Sequence, residues 1–351
     1  MKSFVSIGMF VVVGLLAAYF IGFRPDLATD QVGYDEIQEG MNQRIILKFS
    51  HVVAENTPKG RAAERFAQLV KEKTNGRVEV QVYPNGILYN EENEMDALIE
   101  GDVQMIAPAY SNISTMIPAW SAMDLPYAFP NQQAVEEAFD GEVGQILFET
   151  LERRKMKGLA FWSNGFKQMT NNRNPLKEPK DFAGLRFRVL PSRLLESQFA
   201  QLGATTVEMP FNEVYRNLEA GLVDGQENTL SNITTKRLYQ VQRYMTLSDH
   251  GYLGYAVIVN PAFWAELPPD LRDSVSEAMT ETTEWINREA VLMNQQQLIE
   301  LRKSGIRIYE LTPQEKQRWM KSFEPVYEQY GGQIGAELIG NIRKLQNKYT
   351  P

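Results

Sequence analysis

The stretch GLRFRVLPS sets Arg186 and Arg188 two residues apart, on one face of any extended strand. Arg188 stands just before the loop Leu190-Pro191-Ser192, where a guanidinium can hold a carboxylate through two parallel hydrogen bonds, a geometry an ammonium lacks. As an isolated pair, two such arginines read equally as a solvated strand face. LEAGLVDGQENT breaks a helical opening at Gly221 and ends in Asp224, Gly225, Gln226, Glu227 and Asn228, which form either a solvated turn or one wall of a polar site. The polar, glycine-containing crossing NGFKQMTNNR (164–173) offers Lys167, Thr170 and Arg173 as cations and donors, or serves as a surface loop. His51, at the end of the first strand, is a polar contact or a core histidine, and Phe211 after Pro210 is a lining aromatic or a hydrophobic staple.

Composition narrows the chemistry. The chain has 351 residues, a formal net charge of -8, no Cys, and only His51 and His250. The acidic balance excludes the basic footprint of a nucleic-acid binder. Without cysteine, thiolate catalysis and disulfides are absent and the common zinc sites nearly so. There is no G-x-S-x-G elbow or phosphate loop, and no cofactor is expected.

The elements that must position these residues follow an α/β rhythm. RIILKFS (44–50) and RVEVQVY (77–83) read as strands around a helix capped by Asn56 or Thr57 and stopped at Asn75-Gly76. A helix near 92–100, a strand over 103–109, a long helical stretch over 132–154 and a strand at 158–163 continue the first lobe. Strands at 185–190 and 205–209, with helices near 193–202 and 211–220, restart the pattern as a second lobe. From Pro269 to Ser304 no Gly or Pro interrupts a helical stretch about 50 Å long, enough to bridge both lobes. Thr312, Pro313 and Glu315 mark a further helix start by capping box.

The N-terminus MKSFVSIGMFVVVGLLAAYFIGF places Lys2 before an uncharged run closed by Arg24. It reads as an export signal over 1–25, either cleaved or retained as a membrane anchor, followed by a polar linker at 26–43. Either history puts the body outside the cytoplasmic membrane.

GLRFRVLPSRLLESQFAQLGATTVEMPFNEVYRNLEAGLVDGQENTLSNI resembles the central signature of the solute receptors of tripartite ATP-independent periplasmic (TRAP) transporters, the DctP-like family. NGFKQMTNNR, YPNGIL, DLPYAF and HGYLGYAVIVN support the resemblance, which runs from about Arg44 to the C-terminus. It implies a two-lobed α/β periplasmic binding protein, type II-like, with a long helix crossing both lobes. Lobe I would be 44–164 plus 253–293, and lobe II 165–252 plus 294–351. It further implies that Arg188 holds the ligand carboxylate, that Asn228 is its carboxamide partner and that Phe211 lines the site. Lys167 falls where many members carry a second arginine, and GFKQMT with HGYLGY looks like the C4-dicarboxylate branch. His51, Asn90 and Glu91 are the candidate contacts from the first lobe. The expected function is periplasmic capture of a carboxylate such as succinate, malate or fumarate, and its delivery to TRAP membrane permease subunits. The alternatives are a receptor for another organic acid such as a sugar acid, a ligand-binding partner of a membrane sensor, and an enzyme using Glu227 or Asp224 as a general base.

Overall fold

The computed structural model describes residues 44–350 together with 12–14 and 19. Apart from those few positions, the signal over 1–25 and the linker at 26–43 lie outside the described residues. Residues from Ile46 onward form one compact unit.

Ten strands occur among the described residues: β1 (Ile45–Ser50), β2 (Val78–Tyr83), β3 (Met105–Ile106), β4 (Lys157–Asn171), β5 (Arg186–Val189), β6 (Thr205–Glu208), β7 (Gly225–Thr229), β8 (Tyr244–Leu247), β9 (Tyr252–Val259) and β10 (Arg307–Glu310). They order as β2-β1-β3-β9-β4-β7-β5-β6, with β8 pairing β4 and β10. The pivot is β4. Lys157–Phe166 runs antiparallel to β9 in the first lobe's sheet, while Lys167–Asn171 runs antiparallel to β7 in the second's. One 15-residue strand therefore belongs to both sheets. A register shift between Ser163 and Gly165 marks the crossing, where Gly165 takes a φ of +135°, open essentially to glycine alone.

Of the two readings of 164–173, polar crossing or surface loop, the segment through Asn171 is a crossing strand. Its polar side chains are buried against partners instead of water: Thr170 Oγ1 donates to Gln242 and accepts from Gln226. Gly225–Thr229 is likewise strand, β7, buried along its whole length. The helical stretch at 132–154 divides into Gln132–Asp140 and Glu142–Glu152, because Gly141 takes an extended conformation. The strand expected over 103–109 shortens to Met105–Ile106, since the helix Tyr110–Met116 starts directly behind it.

The long helix is continuous from Pro269 to Lys303. Leu271, Val275, Ala278, Thr282, Ile286 and Ala290 recur three or four residues apart and form its buried stripe. It holds β4 by named bonds: Thr283 Oγ1 accepts from Trp162 Nε1, Asn287 Oδ1 from Ser163 N, and Asn294 Nδ2 donates to Asn164 O while its Oδ1 accepts from Ser231 N. The C-terminal helices reach both sheets' surroundings. Trp319 Nε1 donates to Lys177 O and Tyr330 OH to Arg193 O, whereas Tyr327 OH donates to Pro126 O and Gln346 Nε2 to Tyr127 O.

Candidate ligand-binding site

The strands of the second sheet carry the cationic residues inward. β5 lies between β6 and β7, with Arg188 opposite Val207 and Gln226. Central placement buries the Arg188 side chain, leaving 1 % exposed. Its Nε and Nη2 both donate to Met209 O, at 3.1 and 2.8 Å. That grip consumes one edge of the planar guanidinium and leaves the Nη1–Nη2 edge, with two parallel N–H bonds, free among the described residues. Phe211 sits 6.0 Å from the guanidinium carbon, ring centroid to Cζ. Burial lowers the Arg188 pKa to about 10, opposed by Glu91 and Glu227, so the group stays cationic at neutrality.

Lys167 and Glu227 lie diagonally on one face of the β4–β7 pair, since Met169 is the residue directly opposite Glu227. Their ends meet at 2.5 Å, both side chains almost wholly buried. Glu227 Oε2 also meets His250 Nε2 at 2.7 Å, and His250 Nδ1 meets Ser248 Oγ at 2.7 Å. Burial alone would raise the Glu227 carboxyl; the Lys167 charge and the His250 bond overcome it and hold the group down at about 2. Burial lowers His250 in turn, so it is a neutral imidazole that donates from Nε2 to Glu227 and accepts from Ser248 at Nδ1. The Lys167 stem needs room: a Cβ on Gly251 would come within 2.7 Å of its Cε.

Arg188, Lys167, Asn228, Phe211 and Glu91 line one cavity of about 30 Å³. Asn228 Oδ1 accepts from Thr229 N and from Asn232 Nδ2, which commits the oxygen and leaves Nδ2 as the available donor. Glu91 Oε1 accepts from Phe211 N at 3.0 Å, a bond that spans from the loop after β2 to the segment after β6. Val52 and Val53 pack with Met209 and Phe211 in one apolar cluster across the same gap.

Two expected contacts lie elsewhere. Asn90 caps a turn, its N donating to Asn93 Oδ1 and its Oδ1 accepting from Glu92 N, so it shapes the loop that presents Glu91. His51 is fully buried, stacked edge-on against Phe49 at 6.2 Å, and is not part of the cavity lining. Asp224 turns outward to Arg186 and Arg173, at 3.1 and 3.2 Å, and braces the outside of the sheet.

Sequence reasoning did not find Asn112, Tyr255 and Asn232 in the lining, nor Lys59 behind it. Lys59 is fully buried, donates to Ala107 O at 2.8 Å and stands 3.9 Å from the Tyr255 ring centroid. The sequence signal was faint: one lysine after the helix-starting Thr57-Pro58 looks like any first-turn surface residue.

The profile of the bacterial extracellular solute-binding proteins, family 7, also called DctP, matches residues 49–333. The chain belongs to this family. It is similar to the C4-dicarboxylate-binding protein DctB of Bacillus subtilis, 47 % identical over 347 residues and covering 99 % of both chains. The C4-dicarboxylate-binding periplasmic protein DctP of Rhodobacter capsulatus is 43 % identical over 301 residues, 85 % of this chain and 90 % of the relative. Among solved structures, a TRAP periplasmic solute-binding protein from Sulfurospirillum deleyianum with bound succinate superposes with a TM-score of 0.83 at 41 % identity, covering 86 % of this chain and 98 % of that one. The DctP-family fold, two lobes with the long helix across both, is therefore the fold of this chain.

Proposed function

We propose that this family 7 chain is the extracytoplasmic receptor of a TRAP transporter, that it captures a C4-dicarboxylate between its lobes, and that it delivers the ligand to membrane permease subunits. The observation that carries the reading is a buried guanidinium in the lining of a small cavity, held to Met209 O through Nε and Nη2, and cationic at neutral pH. A carboxylate there receives two charge-assisted bonds from Arg188 and a third from Asn228 Nδ2. Lys167, already paired with Glu227, supports the anion through the polarity of that pair. In this reading the lobes comprise 44–164 with 253–293 and 165–252 with 294–351, and closure is favoured only as far as the ligand contacts the closed form better than the open one.

Glu227 is a poor general base, because a carboxylate held near 2 has little affinity for a proton at neutral pH. Asp224, on the outer face, is no better placed. Both points favour a receptor over an enzyme.

The test is thermal stability of the purified chain, refolded to remove any copurified ligand, with succinate, L-malate, fumarate, sugar acids and amino acids. Ligand at 100 times its Kd adds about 2.7 kcal/mol, roughly 2–6 °C for a body of this size. A rise confined to the C4-dicarboxylates is expected. A rise with sugar acids alone overturns the ligand assignment, and no rise with any acid overturns the receptor reading.

A further inference from the structure

Asn164 opens the crossing segment NGFKQMTNNR and plays no part in the capture scheme above. It is the extra residue at the register shift of β4. Ser163 pairs with Gly254 and Gly165 with Leu253, which leaves Asn164 opposite no residue of β9. A bulge of this kind takes one residue out of the ladder and re-aims its side chain. The Asn164 side chain is fully buried and bonded at both ends. Its Nδ2 donates to Tyr255 OH at 2.8 Å, and its Oδ1 accepts from Ser231 Oγ at 2.6 Å. On the long helix, Asn294 Nδ2 donates to Asn164 O at 2.6 Å, and Asn294 Oδ1 accepts from Ser231 N at 3.2 Å.

The two ends of that amide reach different sheets. Tyr255 is on β9 of the first, and Ser231 is in the helix Leu230–Thr235 that follows β7 of the second. Both partners also adjoin the cavity: Tyr255 lines it, and Ser231 stands in the chain between the lining residues Asn228 and Asn232. The bond from Phe211 N to Glu91 Oε1 spans the gap between the lobes, so the arrangement seen is the closed one.

We propose that Asn164 positions the hinge for closure, its side-chain bonds to Tyr255 and Ser231 being complete together only when the lobes are closed. Both bonds are short, and a relative shift of about 1 Å between β9 and the helix carries one of them past hydrogen-bond length. Asn164 rides on β4, the strand shared by both sheets, and cannot follow both partners when they part. Opening therefore gives up one bond or both. The closed hinge thus adds to the ligand's own contacts and holds the anion in place. Asn164 is outside the cavity lining, so it acts as a positioning residue, through Tyr255 and Ser231. The inference rests on the reading of the chain as a receptor that closes on its ligand.

The chain has no cysteine, so Lys71→Cys and Glu219→Cys place one spin label on an exposed position of the helix Pro58–Lys73 and one on the helix Val214–Glu219. Double electron–electron resonance then measures the closed fraction, and stopped-flow kinetics follow succinate binding. Asn164→Ala, Tyr255→Phe and Ser231→Ala should each weaken binding about tenfold through faster release, with association within about twofold. The ligand-free melting temperature should stay within about 2 °C of wild type, because the open form already lacks a complete set of bonds. A residue that merely holds the fold would lower that temperature and leave the release rate alone. In the Asn164→Ala background, Tyr255→Phe and Ser231→Ala should each add less than about twofold, since both act through Asn164. Release at the wild-type rate overturns the proposal, as does a full further loss from Tyr255→Phe, the sign that its hydroxyl touches the ligand directly. Ser231→Ala, which removes one end of the clamp and leaves Asn164 in place, gives the same decision if Asn164→Ala does not fold. If no C4-dicarboxylate binds wild type, the dicarboxylate reading fails, and the ligand-free label distances decide the hinge. A smaller closed fraction in Asn164→Ala than in wild type then upholds the proposal, and an equal one overturns it.

Discussion

Replacing Glu227 with Gln tests the buried charge chain at its centre. The substitution keeps shape and one acceptor but removes the anion 2.5 Å from Lys167, leaving an ammonium buried without a counter-charge. The carboxyl falls from 4.5 to about 2 in the folded chain, a shift corresponding to about 3 kcal/mol at 1.36 kcal/mol per unit. Breaking a buried pair by removing one partner typically costs ~3–5 kcal/mol, which agrees. The folded pKa is depressed, so this stability is fully present above 4.5 and is lost as pH falls through 2. Glu227→Gln should therefore melt roughly 5–8 °C below wild type at pH 7. Calorimetry of both proteins from pH 7 down to 2.5 should show that gap narrowing below pH 4.5. A gap under about 2 °C at pH 7, or one that stays constant across the acid range, would refute the charge chain as a source of stability.

Arg188→Lys retains the charge but loses the free two-donor edge, so calorimetric affinity for the ligand should fall roughly 100-fold, with the melting temperature little changed. An affinity within threefold of wild type removes Arg188 from the site. Glu91→Gln keeps an acceptor for Phe211 N and deletes a negative charge that faces Arg188, so anion binding at low salt should tighten about fivefold; unchanged affinity at low salt would count against that electrostatic role. Gly165→Ala forces an L side chain into φ +135° and puts its Cβ 2.9 Å from Asn294 Nδ2, the group that holds Asn164 O. A loss of about 1–3 kcal/mol by urea unfolding is expected, and a neutral result would mean that the crossing tolerates strain elsewhere.

The division between sequence and structure falls along the range of the interactions. The 35-residue helix, the capping box at Thr312 and the strand at 45–50 follow from local spacing and cap chemistry, which a single segment carries within itself. Arg188, Lys167, Asn228, Phe211 and Glu91 were also legible, the first four through motifs whose residue types suit a carboxylate, and they meet at one cavity. What sequence could not decide was which polar residues face inward. NGFKQMTNNR reads equally as a polar crossing or a surface loop, yet Lys167–Asn171 is buried strand hydrogen-bonded to Gly225–Thr229 of β7. The same limit hides the pairing of Lys167 with Glu227, and the burial of Lys59 and Glu94. Charge pairing and desolvation depend on contacts between residues far apart in the chain, and only the folded packing brings those residues within reach.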